Sequence, residues 1–156
     1  MRFRQLTSAL LVVLADSLFV TASVASAGPK EEVAAATMKW AKTLGQHDPD
    51  KVVLLYATDG VLSGTLSPIL RADRAALRDY FVTLFEVLPN LEVTFGEQLI
   101  RVYDRTAVNS GYYTFSYIKD GETKTLPARY SFTFVKQHNN WMIVDHHSSA
   151  MPAPPP

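Results

Sequence analysis

Near the C-terminus a Trp-led apolar run, Trp141 to Val144, ends in five polar residues: Asp145, His146, His147, Ser148 and Ser149. An imidazole there offers a hydrogen-bond donor or a general base, because histidine titrates close to working pH. Asp145 can orient either ring, or pair across the strands with Arg129. The candidate catalytic set is therefore His147, His146 and Asp145. Adjacent strand residues point to opposite faces, so without a bulge the two histidines are divided between them. One joins Met142 and Val144; the other joins Trp141, Ile143 and Asp145. The sequence does not choose which turns inward. Histidines divided in this way do not chelate one ion side by side. Asp145 and His147 share a face, but His47 and His138 fall in turns, and tetrahedral sites want three or four protein ligands. No metal and no cofactor are expected.

Aromatic walls with a few polar groups are what a small-molecule site needs. Candidates for such walls are Trp40, Tyr113 and Phe115, with Tyr56 and Arg129 as polar contacts. The bland alternatives are specific. Tyr56 reads equally as a core tyrosine with a satisfied hydroxyl, and Trp40 as core on an apolar helix stripe. Arg71, in SPILRADRAAL, reads as a solvated loop charge.

These residues need elements to hold them. Val33, Thr37, Trp40 and Leu44 recur at helical spacing from Lys30 to Gly45. Asp48-Pro49 caps a second helix expected to run to about Ala57. A third starts after Asp73, buries Leu77, Tyr80, Phe81, Leu84 and Leu88, and stops at Pro89. From Leu91 the period changes to two. Gly96 marks a bulge, Asp120-Gly121 and Asn139-Asn140 mark turns, and Tyr130, Phe132 and Phe134 face opposite to Arg129, Ser131 and Thr133. Four long strands and a short one near Val61–Ser63 follow. Helices first and strands afterwards predict an α+β fold with a curved antiparallel sheet around three N-terminal helices.

Composition narrows the function. The 156 residues carry fifteen Lys+Arg against fifteen Asp+Glu, leaving no basic surface for nucleic acid and little to attract an anionic membrane. With no cysteine, disulfides, thiolate sites and a Cys nucleophile are excluded. Residues 1–27 read as a signal peptide: Arg2 and Arg4, an apolar core from Ala9 to Ala15, then Ala25-Ser26-Ala27. Asp16 breaks that run and argues against a membrane span. The expectation is a periplasmic or secreted domain over 28–152, with a Pro-rich tail at 153–156.

The order helix, Asp-Pro-capped helix, LYATDGVL, helix and a meander closing on WMIVDHHSS resembles the nuclear transport factor 2-like superfamily. More closely, it resembles SnoaL-like bacterial exported proteins similar to the calcium/calmodulin-dependent protein kinase II association (hub) domain. The resemblance spans roughly Lys30 to Pro152 and implies a cone with a pocket at its wide end. It does not imply phosphorylation: the chain has no Gly-rich phosphate loop and no His-Arg-Asp or Asp-Phe-Gly signature. Nor is there a basic amphipathic helix for calmodulin in the mature chain. The hub's closing strand reads His-Phe-His-Arg-Ser, so His147 and Ser149 match and the pocket arginine becomes Ser148. Two further hub arginines align near Tyr113 and Phe132, with Arg129 three residues before the latter. Ser149 therefore joins the candidate ligand contacts, while the arginine-lined site is not reproduced. Steroid isomerase relatives use a carboxylate base opposite a Tyr and a protonated Asp. Asp59, Asp145, Tyr56 and Tyr113 are the residues available for such roles.

Two functions follow. One is binding of a small organic molecule in the cone, by a homodimer or larger ring, with or without cofactor-independent isomerase, cyclase or lyase chemistry. The other is a hub that self-associates and binds nothing. An enzyme should show a histidine or carboxylate of shifted pKa inside a closed pocket. A hub should show a filled cone and a large apolar patch on the outer sheet face.

Overall fold

The computed structural model describes residues 27–153; the signal-peptide reading and the last three prolines fall outside the described residues. Three helices precede or interrupt a five-stranded sheet: α1 (Pro29–Leu44), α2 (Pro49–Val53), β1 (Tyr56–Ser63), α3 (Arg74–Val87), β2 (Glu92–Tyr103), β3 (Thr106–Lys119), β4 (Glu122–Gln137) and β5 (Asn140–Ala150). The strand order is β1-β5-β4-β3-β2. The fold is α+β, as the segregation of patterns requires. The sheet is antiparallel except at one edge, where β1 runs parallel to β5. That pairing follows from chain order, since α3 and the whole meander separate β1 from its neighbour.

The helices form where the sequence signals them. The α1 stripe buries Val33, Thr37, Trp40 and Leu44. Asp48 accepts from the backbone N–H groups of Asp50 and Lys51, and Asp73 accepts from Ala76. The α2 helix ends at Val53 rather than near Ala57. Tyr56 and Ala57 are instead buried in β1, where Ile143 of β5 supplies the ladder partner that a further helical turn lacks.

Two corrections concern turns and register. The β4–β5 hairpin turns on His138 and Asn139, both at positive φ (46° and 66°), and Gln137 pairs with Asn140. It sits one residue before the expected Asn139-Asn140, because the Gln137–Asn140 pair fixes the register and leaves His138 and Asn139 as the two positive-φ residues of the turn. Gly96 does mark a bulge: Phe95 pairs with Tyr113 and Gln98 with Gly111, leaving Gly96 and Glu97 opposite Tyr112. Gly111 faces that bulge so closely that a Cβ would overlap the Glu97 carbonyl oxygen.

A bulge in β5 decides which residues of the DHHSS stretch face inward. Ile143 pairs with Phe134 and Asp145 with Thr133, so Val144 is the extra residue. Inward positions shift from Trp141 and Ile143 to His146 and Ser148. Strict alternation would have buried Asp145 and His147 instead. The same bulge is matched in β1, where the register also shifts between Tyr56 and Val61.

Candidate functional site

The inner face of the sheet and the α1 stripe meet in an aromatic interior. Trp40 lies edge-on to Phe132 (centroids 5.2 Å apart) and to His146 (5.2 Å), and stacks on Tyr113 (6.0 Å). Phe132 stacks on the His146 ring at 4.1 Å. Tyr113 stacks on Tyr130 at 5.0 Å and meets Phe115 edge-on. Each such ring removes about 150–250 Å² from water, worth at most roughly 4–6 kcal/mol apiece. This interior is the core of the fold as well as its candidate site.

Polar groups thread through it. Tyr56 Oη and His146 Nδ1 share a hydrogen bond of 2.8 Å, ninety residues apart in sequence. Burial pushes the Tyr56 phenol well above its ordinary pKa, so it is a neutral donor. Burial, and then the charge of His147, press His146 down from 6.5 to about 3, so its ring is neutral at working pH. The Trp40 indole lies beside the Tyr56 hydroxyl and favours its ionised form. Its N–H lacks a well-formed hydrogen bond, however, as does His146 Nε2, and both atoms are buried. The neutral phenol gives its proton to Nδ1, which leaves the ring proton on Nε2. That tautomer is assigned from the network. The interior then presents two donors with no acceptor.

A second polar line lies deeper along β5. Tyr113 Oη donates to Ser148 Oγ, which in turn bonds Thr65 Oγ1 in the β1–α3 loop. Burial drives the Tyr113 phenol far up in pKa. Asn109, fully buried, donates to Thr37 Oγ1 and Gln98 Oε1 (2.9 Å each) and accepts from Tyr130 Oη (3.2 Å). The Thr65 end matters because the loop from Gly64 to Arg71 crosses the edge of the interior. It is anchored there by Thr65, by paired backbone bonds between Leu62 and Arg71 (2.9 Å each), and by Tyr80 packed over Gly64.

The candidate residues therefore divide. Trp40, Tyr56, Tyr113, Phe115 and His146 converge on the interior. Asp145 and His147 are exposed on the other face, and neither shares the interior with His146. The joint catalytic set is corrected accordingly: the Val144 bulge sends one histidine in and its two neighbours out. Arg129 and Ser149 are also corrected. They lie on the outer face, bonded to each other at 3.3 Å, because Tyr130 and Ser148 take the inward positions. Asp59 is exposed in the irregular part of β1. Thr65 and Asn109 escaped sequence reasoning, since a Thr or an Asn gives no pattern signal until its hydroxyl or amide is seen paired; Ser148 was reached only as the residue standing where the hub has a pocket arginine. Phe132 was visible as one aromatic in an alternating strand and as the position near which a hub arginine aligns.

Comparison with other proteins adds to this. A family profile, the calcium/calmodulin dependent protein kinase II association domain, matches residues 29–152. A Xanthomonas campestris protein of known structure, named for that same association domain, is 38% identical; the match covers 82% of this chain and 91% of that one, with a TM-score of 0.76. An NTF2-like protein with a cystatin-like fold from Novosphingobium aromaticivorans is 14% identical over 80% of this chain and 82% of its own, with a TM-score of 0.68. A Streptomyces avermitilis protein of the NTF2-like family, named as a candidate dehydratase, is 12% identical over 79% and 96%, with a TM-score of 0.68. The last two share the fold. No curated protein matches the chain.

Proposed function

The chain belongs to the calcium/calmodulin dependent protein kinase II association domain family, and on that premise we propose that it binds a small organic molecule carrying an acceptor oxygen. The molecule enters past the Gly64–Arg71 loop and places that oxygen against His146 Nε2 and Trp40 Nε1. The observation that carries this reading is the pair of orphaned polar atoms in an otherwise satisfied aromatic core. Each buried donor left unpaired costs about 1–3 kcal/mol, and folds rarely keep one without a partner. An acceptor oxygen reaching these donors removes that cost.

Acid–base chemistry is not part of this proposal. A ring held near pKa 3 is a poor proton acceptor at neutral pH, where a general base wants a value near 7. His146 is read as a neutral hydrogen-bond donor. Export is part of it: the leader pattern of residues 1–27 supports a periplasmic or secreted place of action.

A second reading has its own observation. Leu99, Tyr103 and Tyr112 stand at least half exposed on β2 and β3, Tyr112 directly across from Arg129 of the Arg129–Ser149 pair. Self-association through that outer face, as a homodimer or larger ring, is compatible with an occupied interior. Native mass spectrometry of Gly28 to Pro156, purified without denaturation, tests both readings. A dimer carrying a reproducible extra mass of small-molecule size supports binding. A bare ring that gains no mass from metabolite extracts supports a hub alone.

A further inference from the structure

Outside the aromatic interior, the β1–α3 loop and α3 enclose a cavity of about 290 Å³ lined by Leu66, Arg71, Tyr80, Thr83, Leu84 and Val87. That volume lies just under the range for drug-sized organic ligands, roughly 300–1,000 Å³, and so suits a small one. Its walls are three aliphatic side chains and a phenol ring. Leu66, Val87 and the neighbouring Ile69 and Leu70 stand 44–59% exposed, so apolar surface continues from the cavity to its rim. Tyr80, Thr83, Leu84 and Val87 follow the i, i+3, i+4, i+7 spacing of one helix face, so a rigid element builds one wall.

The single charge in this cavity is Arg71, and it is poorly used. Its side-chain partner is the neutral Ser67 hydroxyl, 3.2 Å from Nε. Among the described residues the ion pairs are Lys51–Asp48, Arg78–Asp50, Lys124–Glu122 and Lys136–Glu32; none involves Arg71. Its backbone is held by the two bonds to Leu62, which fix where the guanidinium can reach. The Tyr80 phenol, neutral because burial lifts it to about 12, lies within the field of Arg71. A guanidinium fork presents parallel N–H donors matched to a planar carboxylate. Here it stands at the edge of an apolar slot, without an acidic partner.

We propose that this cavity is a second binding site, for a small apolar carboxylic acid whose carboxylate pairs with Arg71 and whose aromatic or branched body fills the slot between Tyr80, Leu84 and Leu66. The site is separate from the His146–Trp40 interior. The acid is selected by two features together: charge at the rim and aliphatic walls behind it. A neutral analogue loses the first, and a small polar acid such as acetate gains little from the second.

Isothermal titration of Gly28–Pro156 with benzoate, and with benzamide as the neutral analogue of the same shape, tests this. Benzoate should bind saturably and benzamide at least about tenfold more weakly, the scale expected when a charge-assisted pair is removed. Arg71→Gln should weaken benzoate by on the order of tenfold and leave benzamide unchanged. Arg71→Lys should recover part of the loss, since it restores charge without the fork. Thr83→Trp, at an exposed helix position, should block both by filling the slot. Arg74→Gln, which removes the same charge from an exposed position at the start of α3, should leave benzoate binding intact, which assigns the loss to Arg71 rather than to net charge. Equal affinity in wild type and Arg71→Gln, equal affinity for the two probes, or no saturable benzoate binding overturns the proposal.

Discussion

Acid should destabilise this fold through His146 before any carboxylate titrates. The folded ring has its pKa pressed from 6.5 to about 3 by burial and by His147. Below pH 6.5 the unfolded chain takes up a proton that the folded chain refuses. Stability is therefore fully present above 6.5 and falls as pH drops towards 3. The slope is about 1.4 kcal/mol per pH unit for one proton. Between pH 7 and pH 4 the loss comes to about 3 kcal/mol, a large share of the 5–15 kcal/mol typical of a domain. Glu32 and Asp48 also have depressed pKa values, held down chiefly by Lys136 and by the backbone N–H of Lys51 respectively. Their contributions begin to be lost only as pH falls through the ordinary carboxylate values, 4.5 for Glu32 and 3.8 for Asp48, so the window from pH 6.5 to 4.5 isolates the histidine. Urea unfolding at half-unit steps, for wild type and for His146→Gln, reads the slope directly. Glutamine keeps a hydrogen-bonding partner for Tyr56 but takes no proton. The variant should lose about one proton's worth of slope in that window. Equal slopes for the two proteins would refute the burial argument.

Three further outcomes follow from particular contacts. Tyr56→Phe should cost about 1–3 kcal/mol by stranding His146 Nδ1, whereas Tyr56→Phe with His146→Leu should cost clearly less than the sum of the single changes; thermal denaturation of the four proteins gives the coupling. Gly111→Ala should destabilise by more than about 2 kcal/mol, because its methyl group meets the Glu97 carbonyl across the bulge and backbone cannot step aside cheaply; a tolerated alanine would mean the bulge is soft. Asp73→Ala should cost about 1 kcal/mol by removing the 2.8 Å cap on the Ala76 N–H, with Asp73→Ser recovering most of it.

The sequence was most legible where local rules act alone. The α1 and α3 stripes, the Asp48 cap, the Gly96 bulge and the five strands all follow from periodicity and turn chemistry. Legibility failed where one extra residue changed a face. Nothing in WMIVDHH marks Val144 as the bulge; it arises because β5 must satisfy two neighbours at once, and both shift register there. On that shift hang the burial of His146 and the exposure of Asp145 and His147. Arg129 shows a different lesson. Its outward face was readable from the alternation with Tyr130, Phe132 and Phe134, and only analogy with an arginine-lined site drew it towards the pocket. Arg71 shows the reverse, because a loop charge acquires meaning only when α3 and Leu66 are seen to wall it.

A high-resolution crystal structure of Gly28–Pro156, purified without denaturation, addresses the ligand directly. Connected multi-atom density in the interior, with an acceptor oxygen within hydrogen-bonding distance of both His146 Nε2 and Trp40 Nε1, is the expected result. An interior holding nothing, or a single water bridging the two nitrogens, would contradict it and leave the chain as a self-associating module with a solid core.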